Sequence, residues 1–204
     1  MSRIIRRSLW IGLLAFLVFI GTAAALYPGG NRFDRTSPGF SLAGNFLCDL
    51  FDRHGYNGIL NPGRPFAVTS AYIFAVTLFL FWNALPRLFD SKLKHARFVR
   101  VLGSVAMVVT LFIATPLHDW CVNISVPLAV IAFGFSIDAL RKSGEVTLAR
   151  LGLLSATICV LNYLSLVFRF FPETLPGLQK ITLCGFLLWM IACIQRLKKI
   201  NEGP

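Results

Sequence analysis

The sequence predicts an all-α, polytopic integral membrane protein, a bundle of six transmembrane helices, and three observations carry that expectation. Hydrophobic types make up 56% of the 204 residues and charged types 14%, whereas an ordinary soluble domain is roughly 25% charged. Uncharged runs recur at close to the about 20 residues that a helix needs to cross a hydrocarbon core about 30 Å thick. The basic residues behind the net charge of +11 fall in short clusters between those runs. Such clusters are topology signals, so no nucleic-acid partner is expected.

The first run, 9–26, follows Arg3, Arg6 and Arg7, and Ala23 and Ala25 give it a small-residue cleavage pattern. A secretory signal peptide therefore competes with a retained span. The 18 residues of the run exceed the about 7 to 15 of a signal's apolar region, which favours an uncleaved helix. Four further spans read as 65–86, 101–117, 120–137 and 151–168. A sixth, 178–195, must begin ahead of Lys180, because the uncharged stretch from Ile181 to Gln195 is only 15 residues. The Lys180 ammonium then snorkels to the headgroups.

Of the 20 Lys and Arg, 14 fall on one side of this six-span arrangement and 6 on the other. Basic loops stay cytoplasmic, so both termini are placed inside, with a bacterial inner membrane as the expected location. The whole chain reads as a single membrane domain, 1–204. Its one sizeable loop, 27–64, is outside and rich in Gly and Pro, a composition of tight turns. The middle of that loop, Phe40 to Phe51, is expected to form a short helix at the interface.

No span carries a mid-membrane Asp, Glu, Lys, Arg or His. Such groups cost about 2.5 to 3.5 kcal/mol each to insert, and their absence weighs against a proton pump, an ion-coupled transporter or a voltage sensor. Asn162, Ser155 and Ser165 in the fifth span line a polar path or, more simply, bond a neighbouring helix. The outer face is different. Arg32, Asp34, Asn45, Asp49, Asp52, Arg53 and His54 lie in the long loop, His118 and Asp119 in the turn between spans three and four, and Arg169 and Glu173 in the last outer connection.

A histidine with a carboxylate is the material of acid–base work. His118 and Asp119 are neighbours in sequence and would diverge on a helix, which makes Asp49 or Asp34 the more natural partner of His118. The bland alternative has Asp119 capping the fourth helix. At the inner end of that helix, Asp138 and Arg141 read as an i,i+3 surface pair. Cys48 and Cys121 could pair on the oxidising side, although free thiols are favoured. The Asn123-Ile124-Ser125 sequon lies within a span and should be unusable.

Tyr27-Pro28-Gly29-Gly30, Asp34, Gly39-Phe40-Ser41 and Asn45-Phe46-Leu47-Cys48-Asp49-Leu50, with the later His118-Asp119, resemble a pattern in bacterial six-span membrane proteins related to the DRAM/FRAG-like family. In those proteins the first outer loop carries an Asn-x-x-Ser-Asp-Leu type of motif. Cys48 stands where the serine is usual. The resemblance covers about a quarter of the chain and implies lipid handling as a class. By contrast, seven-span hydrolases of the ceramidase and progestin-receptor type hold zinc with three histidines. Here His54, His95 and His118 are the only histidines, and His95 is on the opposite face. No metal and no cofactor are expected.

Two functions follow as expectations. In the first, a pocket of Arg32, Asp34, Asn45, Asp49, His118 and Asp119 recognises a lipid headgroup or a membrane partner, and Arg32 or Arg169 forks onto an anionic headgroup. In the second, the chain is a lipid-modifying enzyme using His118 with Asp49. The expected partners are membrane lipid and a membrane protein or a second copy of the chain.

Overall fold

The computed structural model describes the backbone of residues 3–90 and 92–202. Six α-helices occur in it: α1 Arg3–Ala25, α2 Arg64–Ala84, α3 His95–Thr110, α4 His118–Lys142, α5 Val146–Phe168 and α6 Leu175–Glu202. Short 3₁₀ helices at Leu47–Phe51 and Leu85–Leu88 complete the helical content. Five of the segments, all but α3, are long and apolar enough to cross a membrane, and the chain is an integral membrane protein. Their outer surfaces fit that solvent, since Leu151, Leu154, Leu161, Leu164 and Phe168 of α5 are all exposed. A row of exposed leucines is tolerable in lipid and a liability in water.

Five helices meet the length and hydropathy of a span where six were expected, and α3 is the one that falls short. The sequence places that span at 101–117, whereas the helix runs His95–Thr110, only 16 residues. Beyond Thr110 the backbone tightens. Phe112, Ile113 and Thr115 each donate an N–H to the carbonyl three residues back. Pro116 disfavours helical backbone at Thr115, so the apolar stretch 111–117 turns instead of continuing the helix. The sixth segment, by contrast, does begin before Lys180.

The helix ends define two poles. At one, the Asp90 N–H donates to Ser143 Oγ at 2.7 Å, His95 Nε2 lies 2.9 Å from Asp138, and Arg196 pairs with Glu145 at 2.7 Å. Asp138 also takes Lys142 at 2.6 Å and Arg141 at 3.4 Å. The other pole carries the long loop, the 111–117 turn and the start of α6. Between them the core is aromatic. Trp189 packs on Phe133 at 4.4 Å and edge-on to Phe81 at 5.5 Å, with Trp82 and Phe186 alongside. Gly103 lets α3 approach this core, because a Cβ there would overlap the Trp82 indole. Ser155 donates to the Gly185 carbonyl at 2.9 Å and so bonds α5 to α6.

Residues 27–63 form a folded cap. Gly29 and Gly30 hold φ of 122° and 77°, angles at which a side chain would be strained. Four asparagines then staple the turns. Asn31 accepts from the N–H groups of Phe33 and Asp34, Asn57 donates to Pro28, and Asn61 donates to the Leu50 and Asp52 carbonyls. Asn45, fully buried, donates to Gly30 and Asp49 and accepts from Ser41. Beneath them Tyr27 and Leu50 pack with Ala23 of α1 and Ala67 of α2. The short helix expected within Phe40–Phe51 is confined to Leu47–Phe51.

Candidate functional site

The 3₁₀ helix Leu47–Phe51 is held down from both ends. Asp49 Oδ2 accepts the Phe46 N–H at 2.9 Å and Asn45 Nδ2 at 3.0 Å. Gln179 of α6 accepts the Leu47 N–H on its Oε1 at 2.8 Å. Lys180 donates to the Asn45 carbonyl and lies 5.2 Å from the Phe40 ring centroid. The cap is thereby fastened to the first turns of α6. Asp49 is nearly closed off from solvent, and burial raises its carboxyl pKa above the ordinary 3.8 against the pull of Asn45, the Phe46 N–H and Lys180.

This clamping sets Cys48 in front of His118, the first residue of α4. His118 Nδ1 meets Asp119 Oδ1 at 3.1 Å. Their Cβ directions diverge as expected, but at the first turn of α4 no preceding turn lies beneath them and the two side chains can fold toward each other. The other ring nitrogen, Nε2, is buried and makes no hydrogen bond of regular geometry. The Cys48 thiol, which borders the same clefts, acts with Asp119 to raise the imidazole pKa to about 9 against burial. Gln179, its Oε1 engaged by Leu47, turns Nε2 toward Cys48 at 3.9 Å from Sγ.

Two polar clefts open on either side of this pair. One, of about 440 Å³, is bounded by Cys48, Asp49, Asp52, Arg53, Arg64 and the 113–118 turn. Arg64 is fixed there by donating to the Phe51 carbonyl at 2.7 Å. The other, of about 550 Å³, runs from Cys48 and His118 to Asn123, Asn162, Arg169 and Gln179. Below it lies a third space of about 310 Å³ with an almost wholly apolar lining, among it Leu78, Met107, Ala129, Phe133, Leu183 and Phe186. Asn162 and Gln179 border both the second cleft and this cavity. Polar mouth and apolar interior thus meet at two amide side chains.

Of the site residues expected from sequence, Asp49, His118 and Asp119 line these clefts together. His118 takes Asp119, not Asp49, as its hydrogen-bonded carboxylate. Asn45 stands behind Asp49 as a staple. Arg32 and Asp34 are exposed on the cap, where Asp34 closes a turn with Thr36 at 2.6 Å, and neither lines a cleft. Glu173 does not either, whereas Arg169 does. Cys48 and Cys121 are both free thiols.

Three participants escaped the sequence reading. Cys48 is visible there as a possible partner of Cys121 and, through the resemblance, as a thiol in a serine's place, but not as a neighbour of His118. Gln179 and Arg64 carry no local signal, because their roles depend on how α6 and α2 dock on the cap. Comparison with protein-family models, curated proteins and solved structures finds no match. What the protein does has to be read from this site.

Proposed function

We propose that the chain is a six-crossing membrane protein with cytoplasmic termini that binds an anionic lipid from the outer leaflet of a bacterial inner membrane. The headgroup sits in the polar clefts and one acyl chain enters the apolar cavity. The observation that carries this reading is the junction at Asn162 and Gln179, which joins a polar mouth to an apolar space. A volume of about 310 Å³ lies at the lower end of the roughly 300 to 1,000 Å³ of ligand sites. Along α6 the cavity extends from Gln179 to Phe186, which is about 10 Å at 1.5 Å per residue.

Two arginines at the mouth, set among Asp49, Asp52 and Asp119, support contacts to an anionic headgroup. Arg64 and Arg169 present guanidinium forks to separate clefts, and such forks bind phosphate bidentately. The sixth crossing is α3. It starts at the pole of Asp90 and Ser143 and ends at the cleft pole, spanning about 24 Å before the 111–117 turn adds to its reach.

Native mass spectrometry of the purified protein after exposure to phosphatidylglycerol tests the reading. Wild type should retain lipid. Ala129→Phe, which fills the cavity, and Arg169→Ala, on the exposed rim, should each lower retention at least tenfold, equivalent to about 1.4 kcal/mol. Undiminished retention in both would overturn the assignment.

A further inference from the structure

Lipid binding alone gives no use for a thiol held against an oriented imidazole. Cys48 is half-buried at the edge of both clefts. Its neighbour His118 has Nδ1 against Asp119 at 3.1 Å. The Cys48 thiol and Asp119 raise its pKa to about 9 against burial, so the form that acts as base, with its proton on Nδ1 toward Asp119 and a lone pair on Nε2, fills as pH rises through that value. Nε2 is buried and otherwise without a hydrogen bond. This is the order of nucleophile, base and orienting carboxylate that activates a weak nucleophile. The Gln179 Nε2 amide, 3.9 Å from the sulfur, is a donor beside the position where an oxyanion would form. Its Oε1 is held by the Leu47 N–H at 2.8 Å, which fixes the amide's orientation. The remaining cysteines, all within the described residues, line neither polar cleft.

We propose that Cys48 is the nucleophile of an acyl transfer, taking a fatty acyl group from a membrane ester lipid as a thioester, with His118 as base and Asp119 as its positioning residue. The inference rests on the lipid-binding reading, which supplies the ester at the junction of cleft and cavity. In the first step the Sγ proton passes to His118 Nε2 and sulfur bonds to the ester carbonyl carbon. The ester C–O bond then breaks. The proton on Nε2 goes to the leaving oxygen and a lysolipid departs. In the second step a hydroxyl or amine of an acceptor headgroup, or water, attacks the thioester. The C–S bond breaks, and His118 carries the nucleophile's proton to sulfur. No electrons are exchanged, and the acyl chain keeps its place in the cavity throughout.

The test uses the full-length protein in nanodiscs of phosphatidylglycerol and phosphatidylethanolamine whose acyl chains end in an alkyne. After incubation, a hydroxylamine-labile alkyne adduct should map by peptide mass spectrometry to Cys48. His118→Gln and Gln179→Ala should reduce it at least tenfold, and Cys184→Ser should leave it unchanged. Asp119→Asn, at an exposed side chain that folding does not need, should slow adduct formation and displace its pH profile, with rescue by Asp119→Glu. No adduct at Cys48, or one that survives both His118→Gln and Asp119→Asn, would overturn the proposal. Bound lipid is measured on the same samples. Lipid retained without adduct removes only the covalent step, and loss of both removes the lipid-binding reading as well.

Discussion

Asp49 shows how one side chain serves the cap and carries a cost in doing so. Its Oδ2 satisfies the Phe46 N–H and one Asn45 N–H, and a buried donor left without a partner costs about 1 to 3 kcal/mol. Asp49→Ala should therefore lower stability by about 2 kcal/mol, while Asp49→Asn, whose amide oxygen still accepts, should cost less than about 1 kcal/mol. The charge behaves in the opposite sense. Burial raises the native pKa above 3.8, so the folded state holds this proton more tightly than the unfolded state. Stability from Asp49 is greatest below 3.8 and declines as pH rises through the raised value. Thermal unfolding in detergent across that window should show the decline in wild type and its loss in Asp49→Asn. At this scale the sequence was half legible. His118, Asp119 and Asp49 were visible as ionisable groups gathered in the outer connections, away from the uncharged spans. Gln179 was not, because nothing distinguishes an amide in a helix from a partner of a thiol 131 residues away.

Among the elements, α3 separates what hydropathy reports from what the backbone does. The apolar run suggested 101–117, but the helix takes in His95, Arg97 and Arg100 and gives up 111–117. Polar residues are compatible with helix at the membrane edge, and Pro116 is not compatible with its continuation. The same effect lengthens α5 back to Val146. Position in the bundle depends on a feature no hydropathy window registers, the bare face at Gly103 against Trp82. Gly103→Val should force α3 from α2 and cost about 1 to 3 kcal/mol, seen as a lower melting temperature and less folded protein. Gly134→Ala makes the contrast, since a Cβ there meets nothing within 4 Å, and should be neutral or stabilising by up to about 1 kcal/mol.

For the whole molecule, the two poles differ in what they do with charge. At the α3 start, Asp138 and Glu145 are absorbed by His95, Lys142, Arg141 and Arg196, and the pole keeps a large excess of positive charge. At the cap pole Arg64 and Arg169 are fewer but line open space. On the proposed orientation, the pole that carries 14 of the 20 basic residues faces the cytoplasm and the open clefts face outside. The helix poles themselves constrain the test, because Lys94 and Lys142 lie at one end and Asp34 and Glu173 at the other. In a chain whose five cysteines are replaced by serine, single cysteines at Asp34 or Glu173 should react with an impermeant thiol reagent in intact cells. Cysteines at Lys94 or Lys142 should react only after the membrane is opened. Labelling at Lys94 from outside would invert the protein and place the clefts in the inner leaflet. Labelling at Asp34 and Lys142 from outside, with Lys94 and Glu173 protected, would mean that α3 fails to cross, leaving five spans and termini on opposite sides.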